Sequence, residues 1–236
     1  MKTSNQLLIG LIVIIFAAIF GAATVLKGEY EKIDKDDPYY GYVTDTLTDF
    51  SVVKMEGKYS GLIQIQAGEQ FEVKSQKLMA NSKVSEDTPR LTWQVQRDTL
   101  FLSYDAPDFP ERFKATWTLN NKPSLYVLAP QLTSVHSQFF TYRLSSWDLP
   151  SLELIQQGQG SGMALTESSI GNLSATVTDG AMMRIEQPNQ IKQATVVARD
   201  KSTFTARPSA IDSLSIEVDP EAQVTIPGKL VEQLLP

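Results

Sequence analysis

Two aspartates at matching positions are the side chains of this sequence best placed to do chemistry. Asp179 lies six residues after Leu173, and Asp200 lies six residues after Ala194. If the chain coils with the period described below, both carboxylates fall on one corner of adjacent coils, about 4.8 Å apart. Such a pair could bind Ca²⁺ together with carbonyl oxygens, or act as paired carboxylates on a glycan. Aspartate is also a common turn residue, which is the alternative interpretation of both positions.

The sequence offers little else for a catalytic or metal site. The chain of 236 residues has no cysteine, which excludes thiolate metal sites, disulfides and cysteine nucleophiles. His136 is the only histidine, and no motif supplies the nucleophile and carboxylate that a triad would need. We therefore predict no catalytic residue, no cofactor and no metal site, apart from the ligand or cation corner at Asp179 and Asp200.

The charge of the chain argues against nucleic acid as a partner. There are 21 lysines and arginines against 27 aspartates and glutamates, which gives a formal net charge of −6. Phosphate backbones are bound by clustered basic side chains, and this sequence has no run of lysine or arginine.

The N-terminal segment has the length and composition of a membrane span. Leu7 to Leu26 is apolar apart from Thr24, and as a helix it covers about 30 Å, the thickness of the hydrocarbon core. We predict a transmembrane anchor or a signal sequence over residues 1–26, and favour the uncleaved anchor because the apolar stretch is long for a signal peptide. Gly21 and Ala23 keep the cleaved alternative open. Lysines flank both sides, so charge does not determine the orientation.

Three further regions follow the apolar segment. Residues 27–49 mix acidic and basic side chains and then read Pro-Tyr-Tyr-Gly-Tyr, which predicts a stalk or linker. Residues 50–128 show short runs of alternating apolar and polar residues, broken by Gly, Pro, Asn and Asp. This alternation is typical of β-strands with one buried face, and it predicts an irregular β region there that includes the N-terminal part of the solenoid described below.

The region 129–236 repeats with a period of 20 to 21 residues. Its apolar anchors are Leu132, Leu152, Leu173, Ala194 and Leu214, separated by 20, 21, 21 and 20 residues. A second set of apolar positions follows ten and twelve residues after these anchors in the later units, as in Met183 and Ile185 or Phe204 and Ala206. Repeats of this length predict stacked coils whose apolar side chains form one continuous core. The expected fold is all-β, a parallel β-solenoid of regular rungs; a β-sandwich with ordinary hairpins is the alternative.

The chain resembles the head GIN-domain family of bacterial adhesins, the autotransporter adhesin head domain, over residues 50–230. The resemblance lies in Phe50–Val73 with its alternating pairs, in Leu125–Leu132 (LYVLAPQL), in the repeated Ile/Leu-x-x-Leu/Ala starts, and in Gly158–Gly162 (GQGSG). The family implies a right-handed, single-stranded parallel β-helix, with the irregular region at its N-terminal end. It also implies export beyond the inner membrane of Gram-negative bacteria, and it brings no catalytic residue.

These features predict a non-enzymatic, membrane-tethered or exported β-helix domain that serves in adhesion or envelope interaction. The membrane partner would be bound through Leu7–Leu26, and a protein or glycan through the solenoid face. The expected location is the bacterial envelope, with the C-terminal domain in the periplasm, or at the cell surface if the N-terminal segment is cleaved. The alternatives are a polysaccharide-active β-helix enzyme that uses Asp179 and Asp200, and a structural protein that self-associates through a thinly capped C-terminal end.

Overall fold

The computed structural model describes residues 3–31, 33–34, 37–76, 91–104, 118–208 and 210–234. The chain divides into two compact units, Met1–Tyr42 and Val43–Pro236. The first unit contains the helix α1 (Thr3–Glu31), which is uncharged over its first 24 residues. Its segment Leu8–Glu31 has a mean hydropathy of 2.8 over the most apolar part and is long enough to cross a membrane. The predicted apolar helix is therefore present, and both a membrane anchor and an export signal fit this description.

The second unit is built almost entirely of strands, because its apolar residues alternate along short runs that end at turn-forming residues. The strands of the N-terminal half are β1 (Tyr42–Thr46), β2 (Val52–Glu56), β3 (Leu62–Ala67), β4 (Glu72–Gln76), β5 (Leu91–Gln96), β6 (Thr99–Tyr104), β7 (Leu125–Ala129), β8 (Ser134–Gln138) and β9 (Thr141–Ser145). Those of the C-terminal half are β10 (Asp148–Gln157), β11 (Gly162–Thr166), β12 (Ser168–Thr178), β13 (Met182–Ile185), β14 (Asn189–Ala198), β15 (Thr203–Ala206), β16 (Ile211–Val218) and β17 (Gln223–Thr225). A short helix, α2 (Gly228–Leu234), follows the last strand.

The strands form two sheets. The first sheet has nine strands in the order β1-β4-β7-β3-β9-β11-β13-β15-β17, and the second has eight in the order β16-β14-β12-β10-β8-β2-β6-β5. Pairing is parallel from β7 to β17 in the first sheet and from β6 to β16 in the second. The antiparallel pairs β4–β7 and β5–β6 lie towards the opposite end from β16 and β17. From β8 onwards, successive strands alternate between the sheets.

The register of the parallel strands follows the period of the sequence. Ile170 pairs with Ile191, and Ile191 pairs with Ile211, so the three isoleucines form one column across the second sheet. In the first sheet Met183 lies between Met163 and Phe204. These pairings confirm the predicted alignment of residues 20 or 21 apart. All of these side chains are buried: Ile211 is 4% exposed, and the others are at most 1% exposed.

The alignment predicted for the first repeat is wrong by one residue. Strand β8 pairs Ser134 with Glu153 and Val135 with Leu154, an offset of 19, so Leu132 is not the partner of Leu152. With Leu132 as the first anchor, His136 would take the inward position four residues later, but Val135 is the fully buried residue and His136 is half-buried on the outer side. Burial of the apolar Val135 side chain is favourable, whereas a buried imidazole would need a hydrogen-bond partner in the core. The observed register is therefore the more stable one.

The strands of residues 50–128 belong to the same two sheets, but not in chain order. Strand β2 lies between β8 and β6, and β3 lies between β9 and β7. In each sheet, an earlier strand therefore lies between a later one and the repeats: β2 separates β6 from β8, and β3 separates β7 from β9. Residues 82–90 and 105–112, which the sequence predicts to be long polar loops, lie outside the described residues.

Inward side chains of both sheets pack into one hydrophobic core that runs the length of the second unit. Aromatic residues pack in its N-terminal part: Phe50 and Phe71 lie edge to face with ring centroids 5.1 Å apart. Trp147 is 2% exposed and donates its indole N–H to the carbonyl oxygen of Ile65 at 3.3 Å. A second, small cluster of Leu62, Leu119 and Ala164 covers the outside of the first sheet.

Candidate functional site

Asp179 and Asp200 occupy equivalent turns between the two sheets. Asp179 follows β12 with a φ of 56°, and Asp200 follows β14 with a φ of 54°. This left-handed conformation is tolerated by aspartate better than by most side chains, which accounts for the residue type in both turns. The backbone N–H of Gly180 donates to the carbonyl oxygen of Asp200 at 2.8 Å, so the two turns are neighbours. The cation or ligand role of this corner stays a prediction.

A third aspartate near this corner, Asp219, accepts hydrogen bonds from three backbone N–H groups. One carboxylate oxygen of Asp219 accepts the N–H of Asp200 at 2.7 Å, and the other accepts the N–H groups of Glu221 and Ala222 at 2.8 and 2.9 Å. The bond from Asp200 is the main cause that lowers the pKa of Asp219 below its ordinary value. Asp219 thus holds the last two turns together. Within the described residues, no group of three or more His, Cys, Asp or Glu is arranged to hold a metal ion.

Arg199, the basic residue that precedes Asp200, bonds chiefly to Glu217 and also interacts with the charges of Asp200 and Asp219. Arg199 donates to the carboxylate of Glu217 at 2.5 Å, and this bond is the main cause that raises the pKa of the guanidinium. Lys201 lies in the turn itself, with a φ of 61°. Arg199 therefore bonds across the strands to Glu217 on β16.

A shallow groove on the outer face of the second sheet is the more extended candidate site. It has a volume of about 390 Å³ and crosses strands β10, β12 and β14. One wall consists of Ser151, Asn172 and Gln193, which occupy paired positions on these strands; the other consists of Glu153, Ser174 and Thr195, also paired. The backbone of Leu152 and Leu173 forms the floor, since both side chains are only 2% exposed. We call this surface the amide–hydroxyl groove.

The first wall exists because each long strand bends where it meets the core. Ile170 and Leu173 both point inward although they lie three positions apart, so the two consecutive residues between them face outward. The outward pair is Gly171 and Asn172 on β12, with Pro150 in the position next to Gly171 on β10. A further hollow lined by Pro150, Gly171, Asn172, Lys192, Gln193 and Ser213 extends the amide–hydroxyl groove over this bend.

The walls of the groove are almost uncharged and open to solvent. All six wall side chains are exposed. The carboxylate of Glu153, at the end of its wall, lies 3.4 Å from Nε2 of His136 on the adjacent strand. Among the described residues, the side chains of Asn172, Ser174, Gln193 and Thr195 make no hydrogen bond within the protein. They are therefore hydrated groups that a polar ligand can reach.

The groove was not predicted from the sequence, although a signal for it exists. Ser151, Asn172, Gln193 and Ser213 recur at the 20–21-residue period, one residue before each apolar anchor. Three aromatic residues before β10 lie away from the groove: Trp147 and Phe140 are buried in the core, and half-buried Phe139 lies against Gly158.

Comparisons with known proteins give structural likeness only. No protein-family model and no curated protein matches the chain. Among solved structures, a "putative adhesin" from Bacteroides fragilis is 10% identical, with a TM-score of 0.37, over 79% of this chain and 96% of that one. A "putative lipid binding protein" from Parabacteroides distasonis is 8% identical, with a TM-score of 0.38, over 78% and 93%. A "putative adhesin" from Parabacteroides merdae is 9% identical, with a TM-score of 0.26, over 79% and 95%.

Proposed function

We propose that this protein is a non-enzymatic, membrane-tethered β-helix domain that binds a partner in adhesion or envelope interaction. The observation that carries the proposal is the amide–hydroxyl groove: exposed polar side chains cross three paired strands, and those of Asn172, Ser174, Gln193 and Thr195 bond to no described residue. Hydroxyl and amide groups of this kind bind ligands by hydrogen bonding, and they suit recognition better than proton transfer at neutral pH. The helix α1 supplies the tether.

The β-helix is supported by the way the chain moves between the sheets. From β8 to β17 it alternates between the two sheets and advances by one parallel strand each time. Side chains from both sheets share one core. These two observations favour a solenoid, and the general preference of parallel crossovers favours a right-handed one.

Membership of the head GIN-domain family is part of the same proposal. Two of the segments that carry the resemblance, Phe50–Val73 and Leu125–Leu132, contain the neighbouring strands β3 and β7. Ile63 pairs with Leu125 and Ile65 pairs with Val127, so the alternating residues of both segments face the core together. With the location that this family implies, we propose that the domain lies in the periplasm, or at the cell surface if the N-terminal segment is removed.

Self-association through the C-terminal end is a second proposal, and it rests on a different observation. Strands β16 and β17 are the last in their sheets. Val218 on β16 is 42% exposed, whereas its partner Ala198 on the preceding strand is fully buried. Val231 and Leu234 of α2 are 39% and 38% exposed at the same end. Helix α2 lies against β16, where Gln233 donates to the carbonyl oxygen of Asp212, but an end with these exposed apolar side chains still favours contact with another chain.

Protease treatment of intact and osmotically opened cells tests the location on which the main proposal depends. We expect residues 43–236 to be digested only after the outer membrane is opened, with N-terminal sequencing of the full chain starting at Met1. A mature N-terminus near Gly21–Ala23 would establish the exported form instead. Digestion only after lysis of the inner membrane would place the domain in the cytoplasm and overturn the proposal.

Sedimentation velocity of the full chain over a range of concentrations tests self-association. We expect larger species to increase with concentration and to disappear in Val218→Glu, because a charged side chain at that apolar end disfavours its burial. Species of the same size in both proteins at every concentration would contradict an assembly through this end.

A further inference from the structure

The amide–hydroxyl groove has the dimensions and chemistry of a site for an extended sugar chain. Its walls repeat from strand to strand, since Asn172 pairs with Gln193 and Ser174 pairs with Thr195. Neighbouring strands lie about 4.8 Å apart, so equivalent side chains recur at that spacing along the groove. A ring in a ribbon-like glycan occupies about one such spacing. Successive sugar rings can therefore meet successive strands in the same way.

The hydrogen-bonding groups in the walls match those of sugar hydroxyls. Each amide of Asn172 and Gln193 offers two N–H donors and a carbonyl acceptor, and each hydroxyl of Ser174 and Thr195 both donates and accepts. None of these side chains bonds to a described residue, so a ligand need displace only water. Sugar hydroxyls restore the bonds that the displaced water made, whereas an apolar ligand would leave the amides unpaired.

The charge in and around the groove selects a neutral chain over an acidic one. Glu153 stands in the second wall, and Asp212 lies on β16 beside the hollow that extends the groove. Lys192 is the one cation among the residues that line the groove and this hollow. A polymer with a carboxylate or sulfate on each ring would meet Glu153 without a row of compensating cations.

A peptide strand is poorly served by the same surface. The backbone N–H and C=O groups of β10, β12 and β14 are already paired with strands on both sides. A peptide lying along the groove would run across these strands and find no free backbone edge to extend. Only the side chains of the groove are available to a ligand, and they suit a ligand that carries hydroxyl groups along its length.

We propose that the amide–hydroxyl groove binds a neutral, ribbon-like polysaccharide, with Asn172 and Gln193 as the main hydrogen-bonding residues. This inference rests on the proposed function as a binding domain and names its ligand class. The sugar chain lies across β10, β12 and β14, and consecutive rings bond to the two walls.

Binding of cellohexaose to the full chain tests the inference, with isothermal titration in a zwitterionic detergent, because a sugar-headed detergent would compete. We expect saturable binding, and binding roughly tenfold weaker or lost in Asn172→Leu/Gln193→Leu, which removes both amides at similar volume. The matched control is Gln138→Leu/Gln190→Leu, which changes two exposed glutamines outside the groove and leaves the affinity unchanged. Circular dichroism confirms that both variants keep the strand content.

Two further polymers complete the test. Polygalacturonate is acidic, and dextran is neutral but not ribbon-like, so we expect both to bind more weakly than cellohexaose. No saturable binding of cellohexaose, equal affinity in the Asn172→Leu/Gln193→Leu variant, or tighter binding of either polymer would overturn the inference. The protease experiment does not depend on the ligand. A periplasmic or exported domain without cellohexaose binding would therefore refute the glycan alone, whereas a cytoplasmic domain would refute the proposed function.

Discussion

Gly171 lies against the carbonyl oxygen of Pro150 on the adjacent strand, and a β-carbon at Gly171 would stand only 2.4 Å from that oxygen. The two residues face each other at the bend that forms one edge of the amide–hydroxyl groove. Backbone atoms cannot move aside as a flexible side chain can, so the close approach of β10 and β12 at this bend depends on the absence of a side chain.

We expect Gly171→Ala to lower the free energy of unfolding by about 1–3 kcal/mol, because the added methyl group forces the two strands apart. The measurement is urea unfolding of the full chain in detergent, followed by tryptophan fluorescence. Gly228→Ala is the matched control, since no atom lies within 4 Å of a β-carbon there. Equal stability of the two variants would show that the bend adapts without cost.

The position of a residue along the core column determines how much its truncation costs. Phe204 is fully buried and lies between Met183 and Val224 in the first sheet. We expect Phe204→Ala to destabilise the protein by about 3–5 kcal/mol, because it leaves a cavity in the core. Val224→Ala, in the last strand of the same column, should cost roughly 1 kcal/mol, because that side chain is already half-exposed. A comparable loss in both variants would indicate that the end of the domain is covered in solution.

Asn189 joins two successive turns through buried hydrogen bonds. Its side-chain oxygen accepts the N–H of Ser168 at 2.9 Å, and its amide nitrogen donates to the carbonyl oxygens of Leu165 and Glu186. We expect Asn189→Ala to cost about 1–3 kcal/mol, since these backbone groups lose their partner in a buried place. Gln190→Ala, at the exposed neighbouring residue, should stay within about 0.5 kcal/mol of the parent. Urea unfolding of the two variants measures the difference.

The inward columns could be predicted from the sequence because their physical constraint is strict. Ile170, Ile191 and Ile211 must all be apolar to share one core, so the period of the coil is visible in the residue types. The register of β8 could not be read in this way, since Leu132 and Val135 are both apolar and both buried. Only the pairing with β10 shows that Val135, and not Leu132, is the residue of β8 that aligns with an inward residue of β10, Leu154.

Features that depend on distant parts of the chain were not predictable. The insertion of β2 and β3 between the later strands and β6–β7 follows from long-range pairing, about which local alternation says nothing. The amide–hydroxyl groove consists of outward residues, where almost any polar side chain is compatible with the fold. Asn172 and Gln193 are 21 residues apart, so the period of the sequence already aligns them, but their residue types do not distinguish them from ordinary surface residues.

The carboxylate of Asp219 makes the stability of the last two turns depend on pH. Its pKa is lowered in the folded protein, chiefly by the N–H of Asp200, so the charged form is favoured by folding. The stabilisation is complete above the ordinary aspartate pKa and is lost as the pH falls through the lowered value. We expect Asp219→Asn to have a lower melting temperature than the parent at neutral pH, and the difference to shrink below about pH 4. Asp148→Asn is the control, because Asp148 is exposed and its carboxylate bonds to no described residue. A gap between parent and Asp219→Asn that stays constant across this range, or that is matched by Asp148→Asn, would show that the charge of Asp219 does not stabilise the turns.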